Sequence, residues 1–524
     1  MKKLLVIALV FLCFSLVGQE EELRPPIRYN QHTLVKHERI GFLNYDPFFD
    51  TLRSTFEHSV FKPAQQLVFG KIEVEGYSIS VDKSLVGETF VIQKSNDFNF
   101  FPVVNQLVSH VASPEEEVTS FRSGLGVGAL FNLSQQFYFR GTITANYYER
   151  DAQASLENSI LPNTYFFNGD QNVRREVDPR FRASYTPNRF FNFQAGIDHN
   201  FIGEGDRSML QGDYIAPAPF AQIRSKIWKI EFLNLYQFFR EEVAGETLPK
   251  FAASHMVNFQ ATERVQIGLF ESVIFMPKDD NWTRGFEMDY LNPFLFYRPQ
   301  AYSIGSQDRL LIGTNMSYNF GPLMLYGQFA LDEFVLGELL GRTRWWGNKY
   351  AGQLGFKGKA KTKKTLITYR SELNFARPFT YSHINESTTY GHQGMPLAHP
   401  LGADFVESFS SLAVAFKNSL RFEGSLMLVQ QGGQNSEPGL SYGNNIYAPY
   451  TDRPEEYGFF MGENGQLNRA RVSLEASYEV LPSIRLQAFV KPMVEIQRGT
   501  NNEILPMVFG GIRTNLWNER SFSF

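Results

Sequence analysis

Hydrophobic and polar residues alternate strictly along the stretch from Phe121 to Arg150. After a turn at 133–136, apolar side chains fill the odd positions and mostly polar ones the even positions. The odd set includes Phe137, Phe139, Ile143, Ala145 and Tyr147, and the even set includes Arg140, Thr142, Thr144 and Asn146. This period-2 pattern marks strands with a different solvent on each face. Strands of about 12 residues, against a usual 5 or 6, with aromatics near both ends of the apolar face, indicate a transmembrane β-hairpin.

The same alternation recurs from Phe98 to the end of the chain. It predicts an all-β fold, a transmembrane antiparallel β-barrel of about 18 strands. Two predicted strands carry an irregularity: 98–110 contains Pro102, and in 264–275 Glu271 shares a face with apolar residues. A β-bulge near Glu271 would remove the second irregularity.

The connections between the predicted strands alternate between long and short, as 151–178 followed by 187–189 illustrates. Outer-membrane barrels have long extracellular loops and short periplasmic turns. We therefore expect surface-exposed loops and periplasmic termini in a bacterial outer membrane. A soluble β-sandwich repeat protein is the alternative, but it explains neither the strand length nor this alternation.

The first 97 residues do not follow the barrel pattern. Lys2, Lys3 and the apolar run that ends at Gly18 predict a signal peptide over residues 1–18, although a membrane anchor is an alternative. Residues 19–97 are expected to form a small periplasmic segment, with a helix that starts at Asp46 and a short β element. Residues 98–524 then form the barrel.

Composition agrees with an envelope protein of this kind. Phe, Trp and Tyr make up 15% of the 524 residues, and the one cysteine, Cys13, lies inside the predicted signal. The mature chain then has no thiolate or disulfide chemistry, which suits an oxidising compartment. With a net charge of −4 the chain has no basic excess, so nucleic acid is not an expected partner.

Aromatic and charged residues concentrate in three predicted loops, 276–307, 335–347 and 376–404. Binding residues are often found on long loops of a rigid scaffold, and aromatic rings beside charged groups suit sugars. The candidate glycan-binding residues are Trp282, Arg284, Tyr297, Arg298, Tyr302, Trp345, Trp346, Tyr381, Tyr390 and His399. Alternatively, these aromatics pack the loops against one another and close the barrel mouth.

Catalysis, metals and cofactors find little support in the sequence. The spacing of His383, His392 and His399 matches no standard metal site, so loop hydrogen bonding is the simpler interpretation. The chain has no G-x-S-x-G nucleophile motif. We expect a non-enzymatic protein without a cofactor, although a triad assembled only in space remains an alternative.

Charges of both signs are predicted to point into the barrel. They include Arg140, Lys349, Lys357, Arg370, Glu372, Arg421, Glu423, Arg469, Arg471, Glu475 and Arg485. Such a mixture favours a salt-bridge network that plugs the lumen, because it provides no selectivity for ions of one sign. A polar channel is the alternative.

Several short segments, in order, resemble the Wzi-type capsule assembly proteins, and more closely their Bacteroidetes relatives of the gliding motility protein RemB group. The segments are 58–63 (HSVFKP), 203–208 (GEGDRS), 268–272 (GLFES), 292–299 (NPFLFYRP), 345–349 (WWGNK), 399–402 (HPLG) and 511–515 (GIRTN). The resemblance spans nearly the whole mature chain.

The resemblance implies an 18-stranded outer-membrane barrel with a helical part on its periplasmic side. It also implies a non-catalytic role in which the outer face holds capsular polysaccharide, and the gliding relatives imply support of motility. The expected partners are membrane lipid, surface polysaccharide and gliding or secretion machinery proteins. The alternative function is a porin-like channel or an accessory component of surface-protein secretion.

Overall fold

In the computed structural model, a single large antiparallel sheet closes on itself. The structure describes residues 73–514 except for 75–76, 85–86, 95–97, 113–116, 133–136, 151–164, 168–172, 189, 244–245, 263, 280–281, 284–285, 287, 292–307, 321, 363, 417–419, 434–438, 464, 482–485 and 500–501. The predicted signal peptide and the helix from Asp46 lie outside these residues. Within them, no helix has the length and apolar character needed to cross a membrane.

Eighteen strands of the described chain form the barrel, which confirms the predicted number and fold. They are β1 Phe98–Ala112, β2 Glu117–Asn132, β3 Phe137–Arg150, β4 Val173–Tyr185, β5 Phe191–Asp198, β6 Ala218–Ile227, β7 Ile230–Val243, β8 Glu246–Gln260, β9 Val265–Phe275, β10 Arg309–Asn319, β11 Leu323–Glu333, β12 Lys349–Lys361, β13 Thr365–Ala376, β14 Phe405–Phe416, β15 Leu420–Gln431, β16 Leu467–Leu481, β17 Leu486–Arg498 and β18 Glu503–Thr514. Each strand pairs with the next, and β18 pairs with β1 from Met507 opposite Val111 to Arg513 opposite Asn105. The closed sheet therefore leaves no continuous free edge.

Three short strands precede the barrel at Glu73–Val74, Tyr77–Ser84 and Gly87–Lys94. They lie in the segment for which a small β element is expected. The third strand pairs with the start of β1, where Lys94 is opposite Phe98.

The two ends of the barrel differ in their connections. We call the end with the turns 186–190, 228–229 and 362–364 the short-turn end, and the opposite end the long-loop end. The long-loop end carries 199–217, 334–348, 377–404 and 432–466. Three of its connections, 113–116, 244–245 and 499–502, are as short as turns, because the strands on either side continue up to them. The predicted alternation of long and short connections fails at these three places.

The alternation of side chains separates an apolar exterior from a polar interior. On β3, Arg140 and Asn146 are buried inside, whereas Ile143 is 54% exposed on the outside. The outward apolar side chains form a belt around the barrel that includes Leu125, Val127, Leu354, Leu412, Leu474, Val494 and Ile504. A belt of this kind is what a membrane-spanning barrel presents to lipid.

The irregularity at Glu271 has another explanation than the predicted bulge. The ladders of β9 run through Glu271 without a register shift, opposite His255 on β8 and Ile312 on β10. Both partners of the Glu271–His255 pair are buried, with 3.1 Å between Oε2 and Nε2. The bulge prediction was wrong because a partner side chain, rather than a change of register, satisfies the carboxylate on this face.

Part of connection 276–308 covers the outer wall above this pair. The ring of Phe286 packs against Phe251 and Phe275, with 5.4 Å between ring centroids in each case. The hydroxyl of Tyr236, on β7, donates to the carbonyl oxygen of Leu291 at 3.1 Å. The protein's own chain therefore shields Phe275 and the Glu271–His255 pair from lipid, whereas the neighbouring Phe238 stays 37% exposed.

Candidate functional site

Connection 199–217 folds into the barrel instead of standing above it. Nearly all its side chains are buried, and Met209 and Leu210 have no exposed surface. The side-chain oxygen of Gln328, on β11, accepts from the backbone N–H of Met209 at 2.8 Å. We call this connection the plug.

Charges of the plug pair with charges that the barrel wall points inward. Glu204 accepts from the Lys357 ammonium at 2.7 Å, and Asp206 accepts from Arg370 at 2.7 Å. The backbone N–H of Asp206 also donates to Glu372. Buried ions are tolerated when they are paired and hydrogen-bonded in this way. Three of the predicted inward charges, Lys357, Arg370 and Glu372, thus hold the plug.

Arg140 belongs to a second group of buried charges, at the base of the plug. Asp198, the last residue of β5, accepts from Arg140 at 2.7 Å and from Arg182 at 3.1 Å. Arg182 also donates to the carbonyl oxygen of His199 at 2.9 Å. The point where the chain leaves the wall is therefore fixed by two arginines.

Connection 377–404 packs on the plug and forms a hydrophobic core inside the barrel. The hydroxyl of Tyr381 donates to the carbonyl oxygen of Met209, and that of Tyr390 to Leu210, both at 2.8 Å. Gly212 donates from its N–H to the carbonyl oxygen of Leu397 at 2.7 Å. A Cβ at position 212 would collide with the carbonyl oxygen of Ala398, the residue after Leu397. This close approach therefore needs glycine.

Inward side chains of the wall complete this core. They include Leu233, Ala252, Met256, Phe270, Ile274, Leu311, Ala330, Ala351, Ala376, Phe405, Met427 and Val429. The wall from β7 to β15 thus has apolar side chains on its inner face at the level of the plug. The core closes this part of the lumen.

Above the core, two long loops meet at the long-loop end. The backbone N–H of Trp346 donates to the carbonyl oxygen of Glu456 at 3.2 Å, and that of Phe459 donates to the carbonyl oxygen of Arg344 at 3.1 Å. These bonds bring segment 342–346 alongside segment 453–460. We call the face that they form the aromatic surface, which consists of Trp345, Tyr457 and Phe460 with Arg344, Arg453 and Glu456.

The aromatic surface offers open rings beside charged groups. Tyr457 is 53% exposed and Phe460 is 52% exposed, while Trp345 is half-buried. The Arg344 guanidinium lies 5.3 Å from the centre of the Phe460 ring and pairs with Glu463 at 3.6 Å. Exposed rings with flanking donors and acceptors can stack on a sugar face and bond its hydroxyls.

Trp346 supports this surface from below. Its ring lies 4.8 Å from the ring of Tyr450 and 4.1 Å from the Arg453 guanidinium. Its Nε1 donates to the Glu456 carboxylate at 2.8 Å. Arg453 also pairs with Glu456, and this pair, together with the Trp346 bond, holds the pKa of the Glu456 carboxyl below its ordinary value. With both faces covered, Trp346 positions the loops.

The candidate residues from the sequence fall in three places. Tyr381, Tyr390 and His399 are fully buried in the core, where they hold loops together, and their contact with a glycan stays a prediction. Trp345 and Trp346 lie at or under the aromatic surface. Trp282 is part of the short strand Trp282–Thr283, which pairs with Lys278–Asp279. Arg284, Tyr297, Arg298 and Tyr302 lie outside the described residues.

The three histidines of loop 377–404 do not converge. The Nδ1 of His383 lies 2.6 Å from the Thr388 hydroxyl, and the Nε2 of His399 lies 2.8 Å from the Glu407 carboxylate. His392 contacts the backbone of Arg240 instead. Among the described residues, no cluster of three or more potential ligands could hold a metal ion.

Two aromatics of the aromatic surface, Tyr457 and Phe460, were not among the candidates. Both lie in loop 432–466, whose sequence 457–460 (YGFF) places three aromatic residues within four positions. That density is a usable signal in a loop. Their proximity to Trp345 depends on loop–loop pairing, which no local pattern reveals.

Comparison with solved structures finds barrels of similar architecture. The Escherichia coli protein Wzi, described as an outer membrane protein involved in group 1 capsule assembly and a carbohydrate-binding β-barrel, is similar over 80% of this chain and 85% of its own, with 13% identity and a TM-score of 0.49. Pseudomonas aeruginosa OprD is similar over 79% of this chain and 94% of its own, with 9% identity and a TM-score of 0.39. A BenF-like porin from Pseudomonas fluorescens Pf-5 is similar over 79% and 97%, with 9% identity and a TM-score of 0.42. No protein-family model and no curated protein matches the chain. The three likenesses concern the barrel and assign no function to this chain.

Proposed function

We propose that this protein is a non-catalytic outer-membrane barrel that binds surface polysaccharide at its long-loop end. In this proposal the long-loop end faces the cell exterior and the short-turn end faces the periplasm. The observation that carries it is that some loops of the long-loop end fill the lumen, whereas others expose aromatic side chains. Loops 199–217 and 377–404 fill the lumen with a packed core, while Tyr457 and Phe460 stay exposed above it.

The exposed apolar belt supports the membrane location. Residues such as Leu354, 68% exposed, and Val127, 63% exposed, point outward on strands of more than ten residues. Exposing a belt of this kind to water would be unfavourable, because each buried CH₂ contributes about 0.8 kcal/mol. Lipid removes that cost.

The plug argues against a wide diffusion channel as the main function. An aqueous pore needs a polar, water-filled lumen, whereas Met209, Leu210 and Tyr381 lie in the core with no contact with water. The polar inner faces of β16 and β17 are also bridged, for example by Arg471 Nε donating to Glu495 at 2.6 Å. Binding at the outer face therefore fits the structure better than transport.

A binding experiment with purified protein tests the proposal. Polysaccharide extracted from the cell surface is incubated with the parent protein and with a Tyr457→Ala, Phe460→Ala double variant. We expect the double variant to bind polysaccharide about thirtyfold more weakly, because stacking on each of the two aromatics contributes on the order of 1 kcal/mol. Equal retention by the two proteins would remove the aromatic surface from the site.

Two further measurements separate this function from its alternatives. Steady ion conductance of the parent protein in planar bilayers, without retention of polysaccharide, would favour a channel. Deletion of the gene, with bound polysaccharide and surface motility scored in the same cells, separates polysaccharide retention from support of gliding.

A further inference from the structure

The barrel wall has a window between β4 and β7. The β4–β5 ladder ends with Phe181 opposite Ile197, although β4 begins eight residues earlier, at Val173. On the other side, the β6–β7 ladder ends with Phe220 opposite Gln237, although β7 continues to Val243. Because β5 and β6 stop low in the wall, the upper parts of β4 and β7 face each other across a gap.

Other parts of the chain frame this window. The short strand Tyr165–Phe167 pairs with β4 at residues 175–177, above the gap. Prolines line the remaining frame: Pro179 on β4, Pro217 and Pro219 at the start of β6, and Pro249 on β8. Within a membrane every backbone N–H must find an acceptor. Proline has no N–H, so Pro179, Pro217 and Pro219 carry no backbone donor that the interrupted ladders could leave unsatisfied.

The hairpin formed by Gly391–His392 and Met395–Pro396 closes the window from the lumen side. The Nδ1 of His392 lies 2.9 Å from the carbonyl oxygen of Arg240, on the β7 edge that β6 does not reach. The N–H of Gly394 donates to the Glu241 carboxylate at 3.2 Å. The window therefore has a back wall, and it does not open into a pore.

A cleft of about 230 Å³ occupies the window. Its lining combines outward side chains, Phe238 and Phe251, with inward ones, Phe239 and Asp178. The cleft thus extends through the plane of the wall. Its volume lies below the 300–1,000 Å³ of pockets for drug-sized ligands, so it has room for part of a chain but not for a whole glycolipid.

The cleft lies at the level of the apolar belt. In the β3–β4 ladder Pro179 is opposite Ile143, whose side chain is exposed on the outside of the barrel. Phe238, also exposed, is next to the cleft on β7. Two residues further toward the long-loop end, the exposed Arg240 forms the upper edge of the cleft. An apolar lower part under a cation matches the order of chain and headgroup in an anionic lipid.

We infer that this cleft binds one hydrocarbon chain of an anionic lipid of the surrounding leaflet, with Arg240 contacting the headgroup. The apolar lining is continuous with the lipid-facing belt, so a chain enters sideways without crossing water. The inference rests on membrane insertion of the barrel and is independent of polysaccharide binding. The window is then occupied by lipid, and no protein partner is needed to cover it.

Native mass spectrometry of the delipidated protein tests this site. The probes are dimyristoyl phosphatidylglycerol, which is anionic, and dimyristoyl phosphatidylcholine, which is zwitterionic. A Phe238→Ala, Phe251→Ala variant is expected to retain both lipids about tenfold less than the parent, because the chain loses its apolar contacts. Arg240→Gln is expected to remove a preference of roughly 1.4- to fivefold for the anionic lipid, as is typical for an exposed ion pair of roughly 0.2–1 kcal/mol.

Matched variants elsewhere on the barrel serve as controls. Leu325→Ala with Leu354→Ala removes two exposed apolar side chains of the belt, and Arg498→Gln removes an exposed arginine at the long-loop end of β17. Heat-modifiable migration on gels shows that each variant is folded and that the barrel is intact. If the cleft variants lose no more lipid than these controls, the inference is wrong, whatever the result for polysaccharide.

A second measurement covers the case in which the double alanine variant does not fold. Phe238→Trp and Leu354→Trp variants are placed in phosphatidylcholine bilayers that contain a minority of phosphatidylglycerol with brominated chains. We expect stronger fluorescence quenching at position 238 than at 354, and loss of the difference when Arg240→Gln is added. Equal quenching at the two positions in proteins that retain Arg240 would overturn the inference.

Discussion

The Nδ1 atom of His392 lies 2.9 Å from the carbonyl oxygen of Arg240, where β7 runs without a strand beside it. The imidazole ring also packs on Phe239, with 4.7 Å between the ring centroids. A side chain from a loop thus replaces a missing strand partner. The backbone N–H of Arg240 also lies 3.4 Å from this nitrogen, so His392 pairs with the backbone of Arg240 in either neutral form of the ring.

His392→Phe is expected to keep the ring contact and to lose the hydrogen bond. The backbone group of Arg240 that loses its partner should cost about 1–3 kcal/mol of the free energy of unfolding. The midpoint of urea-induced unfolding in detergent, followed by heat-modifiable migration, measures this loss. His110→Phe, at an exposed position on β1, is the control, and an equal effect of both changes would contradict the role of His392.

Removing the plug should open the barrel. If residues 203–210 are replaced by a Gly/Ser segment of equal length, the buried contacts of Glu204, Asp206 and Met209 are lost. We expect steady conductance in planar bilayers, where the parent protein shows little. The same replacement within 151–164 serves as the control. A parent protein that already conducts as well as the variant would show that the plug does not seal the lumen.

Trp346→Ala should act on stability, unlike the changes at Tyr457 and Phe460. The Trp346 ring is buried between Tyr450 and Arg453, and loss of a buried aromatic costs about 3–5 kcal/mol. Hydrogen exchange of loop 432–466 should increase strongly in Trp346→Ala and stay near parent levels in Tyr457→Ala. If Tyr457→Ala loosens the loop as much, Tyr457 has a structural role too.

Asp404 should make the packing of two loops sensitive to pH. Its carboxylate accepts from the Gly462 N–H at 2.8 Å and links loop 377–404 to loop 432–466. Burial, together with the nearby Glu463, raises the pKa of Asp404 to about 7, and the Gly462 bond opposes this rise. The folded protein keeps this proton up to about pH 7, whereas the unfolded chain releases it near pH 4. The contribution to stability therefore falls as the pH rises from about 4 to about 7.

We expect hydrogen exchange in loop 432–466 to be slower at pH 5.5 than at pH 8, after correction for intrinsic rates. Within the window the change is up to about tenfold for each pH unit. Asp404→Asn keeps the acceptor for Gly462 and removes the charge, so the difference between the two pH values should shrink. A difference that persists in Asp404→Asn would assign it to another group.

Buried histidines predict a second, opposite pH effect. Burial lowers the pKa of His383 and of His392 to about 3, and it also lowers the pKa of His399. These rings stay neutral in the folded loop, whereas in the unfolded chain they gain a proton below about pH 6.5. Stability of loop 377–404 should therefore fall as the pH drops from about 6.5 to about 3. Limited proteolysis at pH 4 and at pH 7 measures it, and equal cleavage at both would contradict the prediction.

Much of the barrel was predictable because its pattern is local. The alternation around Arg140 and Ile143 assigns each side chain to its face, and the strand count follows from repetition of that pattern. The environment of Glu271 does not follow from a local pattern, because its partner His255 lies 16 positions away on the neighbouring strand. The sequence therefore suggested a bulge where the structure has a side-chain pair.

The loops were harder to predict for the same reason. Aromatic and charged composition identified Trp345, but it does not distinguish an exposed ring from a buried one such as Tyr381. Burial here depends on which loops descend into the lumen, and Tyr381 is buried because it bonds Met209, 172 residues away. The window likewise requires the lengths of four neighbouring strands, which vary by amounts that predicted boundaries do not resolve.

The plug also constrains the order in which this protein is assembled. Residues 204–209 contact Lys357, Glu372 and Gln328, which lie on three strands that follow in the chain by more than a hundred residues. The plug therefore cannot dock until β11 to β13 have joined the sheet, and its apolar residues must wait in an unfinished barrel. Docking of the plug is then a late, slow folding step, because loop closure over such distances must precede the contacts that reward it. An assembly factor that holds the nascent barrel open would have to release it before the interior becomes dry.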